Sequence, residues 1–183
     1  MTDYESFEPA IHSATILRRT VPTRLSYEDL VAAFERELGH LDPTVNQSLV
    51  MRKAPWSEVE AEMIRISGKH ALMIIFRANQ GAITSLSGKI KHCSLYLVGN
   101  PAIARGILDV DTAAALYVPF RVCLFAREGA NTASIEYDLP SSSLAALGRP
   151  VLTAIGDELD RKIGVVASAL AALEPADTAA VAG

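Results

Sequence analysis

Apolar positions along the chain follow two periods, and the switches between them divide it into elements. The segment SATILRRTV (13–21) is dense in β-branched and aliphatic residues and predicts a first strand. In RLSYEDLVAAFEREL the spacing changes to four: Leu30, Phe34 and Leu38 share one face, which predicts a helix over about 27–39. Its start is marked twice. Ser26 and Asp29 stand at N-cap and N3 like a capping box with a shorter acid, and Leu25 and Leu30 occupy the positions of a hydrophobic staple. Ser57, with Glu60 three residues on, predicts a second, short helix through WSEVEAEMIRISG, closed by Gly68 as C-cap.

Farther along, ALMIIFRA (71–78) is a continuous apolar run that reads as a buried strand, and the loop QGAITSLSGKIK leads to another strand, HCSLYLVG (92–99). PFRVCLFARE and TASIEYDLP then face each other across GAN as a hairpin. Pairing Arg127 with Thr132 and counting back sets Arg121 opposite Asp138, Val122 opposite Tyr137 and Cys123 opposite Glu136, which leaves one hairpin face apolar and the other charged. From Pro150, Leu152, Ile155, Leu159, Ile163, Val166, Leu170 and Leu173 recur every three or four residues as the stripe of a long amphipathic helix. The expected fold is α+β: a single, mostly antiparallel sheet of about five strands gripped by helices, in the order strand, helix, short helix, four strands with a small helix inserted, long C-terminal helix. One globular domain, 13–173, is expected between a flexible leader (1–12) and a flexible tail (174–183), without internal repeats.

Composition narrows the function classes. Half of the 183 residues are hydrophobic and 21% are charged, which suits a domain that folds around a core of its own. A net charge of −4, with the 17 Lys and Arg dispersed, argues against a nucleic-acid partner. The acidic N-terminus MTDYESFEPA lacks the basic and apolar regions of a secretory signal, and no apolar run approaches the roughly 20 residues that span a bilayer. The only two cysteines, Cys93 and Cys123, lie in apolar runs and read as reduced, buried thiols. These features together give the expectation of a cytoplasmic protein with no membrane partner.

At the junction YLVGNPAIARGI (96–107), Asn100 is a favoured N-cap, Pro101 suits N1, and Gly99 has backbone freedom. Capping explains the turn. An alternative use is anion binding by free N–H groups of the helix start, with Arg105 nearby. The longer stretch YLVGNPAIARGILDVDTAAALYVPFRVCLFAREGANTASIEYDLP resembles the core of the domain of unknown function family 302: an apolar strand into GNP, a small helix, an alanine-rich stretch, a P-x-R-V strand and a Y-D-x-P-like close. The resemblance covers about residues 14–148. It implies a strand, helix, four strands, helix arrangement related to the helix-grip architecture, and it brings no established reaction.

Candidate chemistry is sparse. His12, His40, His70 and His92 form no HxH or HExxH spacing, the cysteines form no CxxC, and no metal site is expected. Arg121, Glu136 and Asp138 share the charged hairpin face, either as cross-strand ion pairs or, if a helix covers them, as the wall of a polar pocket. Tyr137 falls on the apolar face, the one expected to line a cavity, where its hydroxyl needs a partner. Gly156 and Gly164 interrupt the long helix and are expected either to leave space beneath it or to allow close packing. Three functional expectations result. The first is a small-molecule-binding protein, enzyme or not, with a cavity between sheet and long helix and with Tyr137, His92, Tyr96, Arg105, Asn100 and Arg121 as ligand-binding candidates. The second is a homodimeric interaction protein without chemistry, using an exposed sheet face or edge. The third is a haem protein, for which one His or Cys suffices as ligand but no attachment motif is present. No catalytic residue or cofactor is assigned.

Overall fold

In the computed structural model of the chain, residue 11 and residues 13–175 are described. The leader and most of the tail expected at the two ends lie outside those residues. The elements are β1 (Arg18–Pro22), α1 (Tyr27–Glu37), β2 (Gly39–His40), α2 (Pro43–Met51), α3 (Trp56–Ser67), β3 (Met73–Ala78), α4 (Gln80–Ser85), β4 (His92–Gly99), α5 (Pro101–Leu108), β5 (Phe120–Ala126), β6 (Ala133–Asp138), α6 (Pro140–Ala145) and α7 (Pro150–Ala171). The strands form one sheet in the order β1-β6-β5-β4-β3-β2, antiparallel throughout except for the parallel pair β2 and β3.

Where local chemistry sets an element, expectation and structure coincide. Ser26 Oγ accepts the Asp29 backbone N–H at 3.1 Å, so Ser26 caps α1 as expected, while the shorter Asp29 carboxylate accepts the Ser26 hydroxyl at 2.8 Å rather than its backbone N–H; Leu25 and Leu30 are both fully buried beside it. The hairpin register pairs Val122 with Tyr137 and Cys123 with Glu136. Arg121 reaches Asp138 at 3.3 Å.

The α+β class with a long C-terminal helix holds, but the sheet has six strands rather than about five. The sixth, β2, is two residues long and carries no period to read. It exists because Gly39 lets the chain lie against α3: a Cβ there would stand 1.9 Å from the Ile66 carbonyl oxygen. Three helices also lie where none is expected, α4 in the segment read as a loop and α2 and α6 in segments with no assigned element. In α2, Asp42 Oδ1 accepts the Thr44 N–H at 2.8 Å; in α4, Asn79 Oδ1 accepts the Ala82 N–H at 2.9 Å; α6 starts at Pro140. All three are short and bury few side chains, so none advertises an apolar stripe. The second expected helix begins at Trp56, with Pro55 rather than Ser57 in the cap position and no side-chain cap. Instead Arg52 forks onto the carboxylate of Glu58.

The main core lies between the sheet and the pair α1 and α7. Leu30, Phe34 and Leu38 from α1 and Leu152, Leu159, Ile163, Val166 and Leu170 from α7 meet Tyr96, Val98, Val122, Leu124, Ile135 and Tyr137 from the strands. A smaller core joins Leu41, Leu49, Met63 and Met73 under α2 and α3. Side chains alternate across each strand, so the other face of the sheet carries Leu95, Leu97, Cys123, Phe125, Glu136 and Asp138, all only half-buried. One face of the sheet is gripped; the other is covered by α2 and α3 only at its Met73 end and is open across the rest of β4, β5 and β6.

Candidate functional site

The six ligand-binding candidates fall in different places. His92 and Asn100 stand at opposite ends of β4, separated by eight residues of extended chain, or about 26 Å. His92 is exposed, with its Nδ1 3.5 Å from Glu28 Oε1 and its ring 5.2 Å from that of Tyr27. Tyr96 is fully buried in the middle of the strand; its ring meets Phe34 edge-on at 5.0 Å and its hydroxyl donates to Glu35 Oε1 at 2.7 Å. Arg77 holds the same oxygen at 2.7 Å. Burial, and then the carboxylate, push the Tyr96 hydroxyl well above the ordinary phenol range.

Tyr137 lies two strands away on the same buried face. Among the described residues its hydroxyl makes no hydrogen bond of good geometry, the Arg19 guanidinium being near but poorly placed for one, and burial pushes its pKa up against the pull of that cation. Asn100 is consumed as a cap: its Oδ1 accepts the Ala102 N–H at 2.9 Å and its Nδ2 donates to the Ala71 carbonyl at 3.1 Å. Arg105 turns outward, 3.2 Å from Asp109 and stacked 5.1 Å above the Trp56 ring. Arg121 is on the open face. The structure does not gather these residues, because β4 and the α5 cap that follows it string out His92, Tyr96 and Asn100 along one line and the pleat sends Arg121 to the other side.

Beneath α7 the two glycines differ. A Cβ on Gly156 would lie 2.4 Å from the Ser141 Cα, so this glycine brings α6 and α7 into backbone contact. A Cβ on Gly164 would lie 3.6 Å from Arg19 Nη1 and 4.0 Å from the Tyr137 hydroxyl, ordinary contact distances. Close packing is therefore the reason for the first.

Two surfaces remain with the makings of a site. On the open face the register sets Phe76 beside Leu97, Ala78 beside Leu95, Leu95 beside Cys123, and Cys93 beside Phe125. This makes one half of the face apolar. The other half is charged but internally matched: Asp138 takes Arg18 at 2.8 Å and Arg121 at 3.3 Å, and Glu136 accepts the Thr20 hydroxyl at 2.7 Å. Both cysteines are on this face and only half-buried, a correction to their expected burial in the core that follows from the pleat. Burial and the neighbouring Cys93 and Glu136 hold the Cys123 thiol above its ordinary value, away from the reactive thiolate. The second surface is a pocket of about 260 Å³ where β4 runs into α5, walled by Ile75, Ile103, Leu108, Val118 and Pro119. Its centre is the junction at 96–107 that the sequence singles out, but no local signal links that stretch to the remaining walls, which come from α2, β3, β5 and α7. Among the described residues, no three His, Cys, Asp or Glu side chains gather to hold a metal ion, and no helix is long and apolar enough to cross a membrane.

The fold is similar to that in the crystal structure of an uncharacterized conserved protein, DUF302, from Bacillus stearothermophilus, with a TM-score of 0.60 and 12% identity over 84% of this chain and 97% of that one. No curated protein matches the chain. The model of the family described as "Domain of unknown function DUF302" matches residues 47–170. The match begins at residue 47, short of the 14–46 portion of the resemblance, and at its other end extends past residue 148 to take in nearly all of α7. With more than half of its length matched, the chain belongs to the DUF302 family of domains of unknown function.

Proposed function

We propose that this chain is an assembly module that pairs with a second copy of itself through the open face of its sheet. The observation that carries this reading is the division of that face. An antiparallel sheet can leave one face in water, but the solvated face is then polar. Here half of it is Phe76, Leu95, Leu97, Cys93, Cys123 and Phe125, with Phe76 51% exposed. A two-fold axis would lay apolar half on apolar half. The charged half would stay at a wet rim, where Arg18, Arg121 and Asp138 already satisfy one another. Five strands about 4.8 Å apart and about 20 Å long offer a projected area of about 500 Å². Side-chain relief raises this towards the ~800 Å² of accessible surface per partner found in stable complexes. The homodimer is favoured over a cavity beneath α7 because Gly156 is closed against Ser141.

Sedimentation equilibrium tests the reading. Twice the chain mass is expected, falling to the monomer in Leu97→Glu, which puts a charge into the apolar half; Arg105→Ala, on another surface, should leave the dimer intact. A monomer at every concentration removes the proposal, and so does a dimer that survives Leu97→Glu.

A further inference from the structure

The pocket at the β4–α5 junction differs from the rest of the surface in its chemistry. No charged side chain lines it. Ile75, Val98, Ile107, Val118, Phe120 and Leu159 give it aliphatic and aromatic walls, and four of these (Val98, Ile107, Phe120 and Leu159) belong to the main core with 5% exposure or less. The pocket therefore rests directly on the main core, between the large cluster and the small one beneath α2 and α3.

Its polar groups are mostly spoken for. Asn100 is the only buried polar side chain in the wall. Its carbonyl oxygen caps Ala102 and its amide donates to Ala71, so neither is available to a ligand. This closes the anion-binding use of the α5 start: the Ala102 N–H is taken, and Arg105 faces Asp109 and Trp56. Desolvating an anion here would meet no compensating charge. Only Asn46, exposed on α2, offers an unengaged amide, and it stands at the rim. Asn46 and Ile75 also line a second depression of about 380 Å³ that extends to Val50 and Met51 of α2, which are 68% and 76% exposed, so the apolar surface runs on from the pocket mouth.

From this we infer that the β4–α5 pocket is a binding site for a small, uncharged, mainly hydrocarbon molecule, with room for a single ring and a short substituent. A cavity of about 150 Å³ lined by Leu, Ile and Phe accepts benzene, and this one is larger. The driving force is removal from water of the ligand's own apolar surface and of the half-buried Ile75, Ile103, Leu108 and Val118 at the mouth. Specificity is mainly negative, since the walls reject charge. The site is independent of the open sheet face.

Toluene and benzoate share a ring and differ in charge, which makes them the probes. With the isoleucine methyl groups labelled, titration with toluene should shift Ile75, Ile103 and Ile107 saturably, and benzoate at the same concentrations should not. Two substitutions fill the site from different sides: Ala104→Leu from α5, and Asn46→Phe from the exposed surface of α2, where folding is not at stake. Either, in protein that keeps the parent circular dichroism, should weaken toluene binding at least tenfold. No saturable shift up to the solubility limit of toluene overturns the inference. So does benzoate binding as well as toluene, or unchanged toluene binding in folded Asn46→Phe. Recording the mass of each sample by light scattering separates failure here from failure of the dimer.

Discussion

Gly156 and Gly164 sit eight residues apart on one helix, and replacing each by alanine should move stability in opposite directions. Alanine in a helix interior is favoured over glycine by about 1 kcal/mol. At Gly164 nothing offsets that gain, because the new methyl group would meet Arg19 Nη1 at 3.6 Å and the Tyr137 hydroxyl at 4.0 Å. Gly164→Ala should therefore stabilise by about 1 kcal/mol. At Gly156 the methyl group would stand 2.4 Å from Ser141 Cα and 2.8 Å from its N, and the obstacle is backbone that cannot rotate away. Restoring ordinary contact needs about 1 Å of separation between α6 and α7. Overpacking of that kind costs about 1–3 kcal/mol. The same shift pulls on Asp160, whose carboxylate accepts the Ser141 N–H at 3.1 Å and its hydroxyl at 2.5 Å, and hydrogen bonds to a charged group are worth about 1.5–3 kcal/mol each. After the gain in propensity, Gly156→Ala should lose about 1–3 kcal/mol. Urea unfolding read by circular dichroism, with m unchanged, measures both; in a domain of this size each kcal/mol corresponds to about 2–4 °C in Tm. If Gly156→Ala stabilises as much as Gly164→Ala, the close packing of α6 on α7 is refuted and space beneath the long helix returns as an explanation.

The two buried tyrosines make a second contrast. Tyr96→Phe removes the hydrogen bond to Glu35 and should cost about 1–2 kcal/mol, whereas Tyr137→Phe removes a hydroxyl with no partner and should be neutral or slightly stabilising, as chemical denaturation of the two variants will show. Both hydroxyls have folded pKa values raised above the unfolded value of about 10, so their contribution to stability is complete below that pH and is lost progressively as pH rises from there towards the folded values. Melting curves between pH 9 and 11 should fall, and fall less steeply in the double Phe variant; an equal fall would sink the assignment. Asn100→Ala should cost about 1–2 kcal/mol, since it uncaps α5 and frees the Ala71 carbonyl, and an unchanged Tm would contradict the cap.

Elements whose signals are local were legible along the chain. The Ser26 cap of α1, the Asn100-Pro101 helix start, the stripe of α7 and the register of the β5–β6 hairpin all rest on residues a few positions apart or facing each other across one turn. Their geometry follows from the fixed periods of helix and strand. Tertiary structure alone decided the remainder. β2 depends on Gly39 meeting Ile66, and the close approach of α7 on Gly156 meeting Ser141, pairings that no periodicity encodes. The candidate site dispersed for a related reason. Sequence chemistry marks which side chains could bind, but a strand sets His92 and Asn100 about 26 Å apart and its pleat divides Tyr137 from Arg121. Which face of the sheet would be gripped was settled only when α1 and α7 packed against Tyr96, Val122 and Tyr137, because two faces of one strand compete for a limited number of covering helices and the more apolar one buries more surface.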